Sequence, residues 1–155
     1  MSISSINRIP ALSIRQPWAE LIVAGQKTIE IRHWTTEYRG LFWVHVAHTG
    51  DAELESSYGM SNLFRGGYLG SAVLRAVIPL DAERWQAWRP RHLDRAEYRT
   101  GFYAWLLSSP IRFDTPIAGP GRLSLFYPSI EHETLLNQAA HSFLQRRELR
   151  AAASV

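Results

Sequence analysis

The stretch Gly25-Gln26-Lys27-Thr28-Ile29-Glu30-Ile31-Arg32 places an amine, a carboxylate and a guanidinium close together. From Thr28 the polarity alternates. Ile29 and Ile31 point one way, and Thr28, Glu30 and Arg32 the other, as on a strand with one polar face. Lys27 stands at the mouth of that strand, in the turn before it. Three chemistries follow. A desolvated lysine amine serves as a general base, or a charged one as a phosphate contact. Glu30 orients the lysine, accepts from an exocyclic amine, or ligates a metal. Arg32 grips a phosphate or stabilises charge developing on one. The plain alternatives are a solvated turn lysine and a surface Glu30–Arg32 pair worth under ~1 kcal/mol.

The elements that must position these groups lie just upstream. Ala11 to Arg32 reads as strand, short helix, tight turn, strand. Pro17 suits the first helical position, where its missing N–H is harmless. Trp18, Leu21 and Ile22 share a helix face, and Gly25 suits the position just past the helix end. Arg15 precedes the helix, whose N-terminal amides also favour an anion. Arg15, Lys27 and Arg32 with Glu30 thus form a candidate anion site.

Gly-x-Lys-x-x-Glu-x-Arg over Gly25–Arg32, joined to Ser13-Ile14-Arg15-Gln16-Pro17-Trp18, resembles the ASCH domain, a branch of the PUA-like superfamily. The resemblance continues through Tyr38-Arg39-Gly40, Gly70-Ser71-Ala72-Val73 and Tyr103-Ala104-Trp105, and covers most of the chain, from about Pro10 to Tyr127. It implies a small β-barrel with a cleft beside the motif, used on RNA or nucleobases. Some ASCH proteins resembling this one are amidohydrolases of N4-acetylcytidine. They use a lysine in the motif turn, a threonine three residues later and a glutamate on another strand. Lys27 matches that lysine, but Glu30 occupies the threonine position, and Thr28 is the nearby hydroxyl. Others, with glutamate in the motif, resemble it more closely and are described as ribonucleases. In that chemistry Lys27 would take a 2′-hydroxyl proton while Arg32 or Arg15 stabilises the phosphorane.

The rest of the chain sets bounds. With 155 residues, 46% of them hydrophobic, it suffices for one globular domain with a core. The net charge of +3 permits nucleic-acid contact without requiring it. There is no cysteine, which excludes disulfides and thiolate metal sites. No apolar run reaches membrane-spanning length and the N-terminus does not read as a signal peptide, so a cytoplasmic location is the expectation.

Coarse patterning predicts a buried strand over Leu41–Ala47 and a helix over Asp51–Tyr58 capped by Thr49 or Asp51. A loop over 61–67 then leads into a long strand over Tyr68–Leu80. Two short helices separated by a turn at Pro90 fill 81–99. Separate strands follow at Phe102–Leu107 and Ile111–Thr115, with a turn at Gly119-Pro120-Gly121 and a last strand at Arg122–Tyr127. Ser129 caps a final helix to about Arg150, with an apolar stripe of Leu135, Leu136, Ala139, Phe143 and Leu144.

The expected fold is α+β. Its sheet closes, by the resemblance, into a PUA-like β-barrel of about five to six strands with flanking short helices and a C-terminal helix. The expected organisation is an N-terminal arm (1–9), the ASCH domain (10–128) and a C-terminal helix (129–155).

Six tryptophans exceed what the core alone needs. Trp43 reads as core and Trp18 as packing for its helix. Trp34, Tyr103 and Trp105 are candidates for a wall on which an unpaired base stacks, with the barrel interior as the alternative for Tyr103 and Trp105. Trp85 and Trp88, interleaved with arginines, read best as covering the barrel end. His45 and His48 point to opposite faces unless the strand ends between them. No His/Asp/Glu spacing supports a metal, and neither a Ser–His–Asp triad nor a Gly-rich phosphate loop is present.

The candidate catalytic residues are therefore Lys27, Glu30 and Arg32. The candidate nucleic-acid contacts are Arg15, Gln16, Trp18, Trp34, Tyr103 and Trp105. The expected partner is RNA or single-stranded nucleic acid, with ribonuclease activity as its enzymatic form. Hydrolysis of an acylated nucleoside and a non-catalytic regulatory interaction module are the alternatives. No cofactor or membrane contact is expected.

Overall fold

The computed structural model describes residues 8–154. Its frame is one curled sheet of six strands in the order β2-β5-β4-β3-β1-β6. The strands are β1 (Ala11–Ile14), β2 (Ile29–Arg32), β3 (Gly40–Val46), β4 (Gly67–Pro79), β5 (Tyr103–Ala118) and β6 (Leu125–Phe126). The helices are α1 (Trp18–Val23), α2 (Ala52–Ser57), α3 (Ala82–Ala87), α4 (Arg89–His92) and α5 (Ile130–Ala153). β1 lies parallel to β3, while every other pairing is antiparallel. The sheet curls until Arg32 of β2 reaches the Ser13 carbonyl of β1 at 3.5 Å, so the two form the lips of a half-open PUA-like barrel.

Alternation along the strands divides the apolar residues between three clusters. Leu12, Ile14, Phe42, Val44, Val46, Leu69, Leu74, Trp105 and Leu107 pack with Ala19, Ile22 and Val23 of α1. On other parts of the sheet, Trp43, Tyr68, Phe113 and Phe126 are covered by Leu136 of α5. Ile29 and Ala104 pack with Trp85 of α3 and Leu80. Trp85 is thus the cover at the barrel end.

Several boundaries differ from the sequence reading. Pro17 is the cap residue before α1 and not its first helical position, since its carbonyl accepts the Leu21 N–H from outside helical geometry. Pro90 lies inside α4, near its start, where a missing N–H breaks no intrahelical bond. The turn between the two short helices falls instead at Trp88. The two strands expected around Pro110 are one, β5. Ser71 pairs with Ile111 but Val73 with Ser108, so β5 carries one extra residue there, and Ser109 has φ +50°. Such a bulge is where a strand accommodates proline. The last strand shrinks to Leu125–Phe126.

Asp51 caps α2 through the Leu54 N–H, and Ser129 caps α5 through the His132 N–H. In the α5 stripe Leu136 is buried, but Leu135 and Leu144 are exposed, because only part of the helix face lies against the sheet. Of the expected N-terminal arm, residues 1–7 lie outside the described residues. Arg8 is held by the Pro128 carbonyl at 2.5 Å and by Glu133.

Candidate functional site

β2 places Glu30 opposite Trp105 and Arg32 opposite Tyr103 on β5. Directly paired residues share a sheet face. The polar side of β2 therefore faces the same way as the Trp105 core and not toward open solvent. Lys27 is 2% exposed and Glu30 4%, so the lysine is not a solvated turn residue and the Glu30–Arg32 pair, though formed, is not a surface one.

Burial of a charge is tolerated only with partners. Lys27 Nζ donates to the His92 carbonyl at 2.5 Å, lies 3.7 Å from Glu30 Oε1 and rests 4.7 Å above the Trp18 ring. Glu30 Oε1 also accepts the Ile31 N–H, and Oε2 accepts from Arg32 Nη1 at 3.3 Å. The carboxylate is thus clamped between two cations. Burial holds the Lys27 amine below its ordinary 10.5, with Glu30 and then Asp94 pulling it back up. The half-buried Arg32 guanidinium lies 5.7 Å from the Trp34 ring centre.

α4 supplies the other wall. His92 is fully buried, its Nε2 donating to the Trp85 carbonyl and its Nδ1 accepting the Asp94 N–H. Those partners define a neutral ring, and burial holds its pKa below 6.5. The fixed ring fixes the carbonyl that Lys27 needs.

Arg15, Trp18, Lys27, Glu30, Arg32 and Trp34 line one cleft of about 450 Å³ together with Ile31, His33, Asp94 and Phe102. Six of the proposed site residues therefore converge. Three do not. Gln16 is fully buried, donating to the Phe64 carbonyl and accepting the Glu20 N–H, so its amide is consumed in anchoring α1. Trp105 is also fully buried, its indole N–H on the Trp34 carbonyl and its ring edge-on to Trp34 at 4.7 Å. It supports the wall and offers no face to a ligand. Tyr103 packs beside the core and is absent from the cleft lining.

Sequence reasoning missed Asp94, His33 and Phe102. Nothing local marks Asp94, which follows a left-handed Leu93 (φ +64°) at the end of α4. His33 adjoins the motif, and its ring lies 4.4 Å from that of Phe102. Among the described residues no group of three or more histidine, aspartate or glutamate side chains is placed to hold a metal ion. Nor, among them, is any helix long and apolar enough to cross a membrane.

A half-open barrel with a charged cleft at its lip defines a PUA-like domain. The ASCH domain model matches residues 12–117, and the chain belongs to that family. It is similar to activating signal cointegrator 1 of Mus musculus, 28% identical over 110 residues, and of Homo sapiens, 26% over 108. Each match takes in 64% of this chain but 19% of the relative, so the chain spans about a fifth of those proteins. The ASCH crystal structure from Zymomonas mobilis superposes with a TM-score of 0.60 at 18% identity, covering 83% of this chain and 92% of that one. A serine-to-alanine variant of the same bacterial protein gives 0.58 with the same coverage. These likenesses support the fold.

Proposed function

We propose that the protein binds RNA or single-stranded nucleic acid by taking one unpaired nucleotide into the Lys27–Glu30–Arg32 cleft. The observation that carries this reading is the Glu30 carboxylate, held between Lys27 and Arg32 within a cleft of about 450 Å³. A fixed carboxylate accepts hydrogen bonds from a base edge. Arg15, exposed at the mouth, and Arg32 suit the phosphate. Trp34, backed by Trp105, suits stacking with the base.

The test is fluorescence anisotropy of a labelled single-stranded RNA across a salt series. Each phosphate neutralised should contribute about −0.7 to the slope of log affinity against log salt. Arg15→Ala and Arg32→Ala should each weaken binding and flatten that slope. Binding that ignores both salt and these variants would defeat the proposal.

A catalytic reading rests on a separate observation, the burial of Lys27 in the cleft wall, which lowers the basicity of its amine. Once it has given up its own proton, the Lys27 amine would take that of a ribose 2′-hydroxyl as that oxygen attacks the adjacent phosphorus. Arg32 would stabilise the phosphorane, and the 5′-oxygen would leave. The same amine would serve hydrolysis of an acylated nucleoside. A gel time course of wild type beside Lys27→Ala separates binding from cleavage: RNA cut equally by both proteins removes Lys27 as the base.

A further inference from the structure

A second cleft, of about 410 Å³, opens on the other side of Arg32. Ser13, Arg32, His45, His48, Arg122 and Ser124 contribute to its lining, and no carboxylate does. Arg32 is the one residue common to both clefts. Its Nη1 is held by Glu30 Oε2 on one side and by the Ser13 carbonyl on the other. Among the described residues, its Nε and Nη2 make no hydrogen bond. Those donors are therefore free at the ridge between the two spaces.

The floor of the second cleft is built rather than incidental. His45 is buried, with Nδ1 3.0 Å from the Ser13 hydroxyl and Nε2 2.8 Å from the Gly119 carbonyl. Gly121 packs so closely on this ring that a β-carbon there would come within 2.4 Å of it. The loop bearing Arg122 and Leu123 is thereby pinned over the lip of β1. The arginine is exposed and, among the described residues, makes no ion pair. β3 ends at Val46, which lets exposed His48 share this cleft with buried His45 despite their spacing. Leu123 is 93% exposed at the rim, an apolar surface that no described neighbour covers.

We infer that the second cleft is a phosphate subsite for the nucleotide adjoining the one in the first cleft, so that the protein grips two consecutive nucleotides astride Arg32. The inference rests on the nucleotide reading of the first cleft. Its chemistry is that of a backbone phosphate: two guanidinium groups, an exposed imidazole and the Ser124 hydroxyl, without the carboxylate acceptor that the first cleft offers a base edge. Leu123 then lies where the second base can rest against it. A polynucleotide strand fits both clefts, whereas a lone nucleoside uses only the first.

The test compares the affinities of a nucleoside 5′-monophosphate and the matching dinucleotide, in wild type and in the double variant His48→Gln/Arg122→Gln. Both substituted side chains are exposed, so the variant should fold. Wild type should bind the dinucleotide about tenfold or more tightly than the mononucleotide, with a steeper salt dependence. In the double variant that advantage should fall at least about fivefold. Equal affinities of wild type for the two ligands would overturn the inference while leaving the nucleotide reading intact. An advantage that persists undiminished in the double variant would also overturn it. Absence of binding to either ligand would overturn both readings together. A poly-glutamate peptide that displaces the dinucleotide as effectively as excess unlabelled dinucleotide would assign the cleft to acidic protein segments and overturn it as well.

Discussion

The Nζ of Lys27 lies 2.5 Å from the carbonyl oxygen of His92, a residue far away in sequence and fully buried. This contact ties the motif turn to α4. The Thr28 N–H on the Arg91 carbonyl reinforces it. The cleft thus owes its shape to a short helical segment outside the motif, and that dependence can be measured.

Removing the amine should destabilise the fold as well as empty the site. Lys27→Ala leaves the His92 carbonyl without its donor and Glu30 with one cation fewer. The loss should be about 2–4 kcal/mol. Lys27→Met keeps the stem packed on Trp18 and should cost about half as much. Urea unfolding measures both, and each variant should lose nucleotide affinity.

The same amine makes stability depend on alkaline pH. Its pKa is lowered in the folded state, so the unfolded chain binds more protons between the lowered value and 10.5. Stability should therefore rise as pH climbs through that window toward 10.5. The difference in unfolding free energy between wild type and Lys27→Met, followed over alkaline pH, should shift in favour of wild type. A flat difference would mean that the amine is not desolvated.

At acid pH the relevant group is His92. Burial lowers its pKa, and the Asp94 N–H occupies the Nδ1 lone pair that a proton would need. Below 6.5 the unfolded chain gains this proton first, so stability should fall as pH drops from 6.5 toward the lowered folded value. His92→Gln should remove that part of the acid dependence, read by thermal unfolding at several pH values. Because His92 carries the Lys27 acceptor, ligand affinity should decline over the same range.

Gln16 and Trp105 should behave as structural residues. Gln16→Ala should cost about 1–3 kcal/mol, since it leaves the Glu20 N–H and the Phe64 carbonyl unpaired. Trp105→Ala should cost about 3–5 kcal/mol from the core. Trp34→Ala should weaken RNA binding by roughly 1–3 kcal/mol, the range of base stacking. Anisotropy at a temperature where each variant is folded, beside urea unfolding, separates the two kinds of effect.

Local geometry was legible before any fold was known. Alternation of Ile29 and Ile31 with Glu30 and Arg32 makes a strand whatever surrounds it. Chain connectivity alone then keeps Glu30 within reach of Lys27 and Arg32. Gly25, Asp51 and Ser129 marked their turns and caps because their backbone and side-chain preferences act over a few residues, whereas Pro17 marked the start of α1 only to within one residue. Which side of β2 meets the core was not legible, since that depends on pairing with β5 and on how far the sheet curls. Burial of Lys27 and Glu30, the use of His92 and Asp94 as a wall, and the withdrawal of Gln16 and Trp105 into the interior all follow from contacts between distant segments. Local periodicity carries no information about such contacts. The bulge at Ser109–Pro110, which merges two expected strands into one, has the same origin: β4 supplies a partner on both sides of the proline.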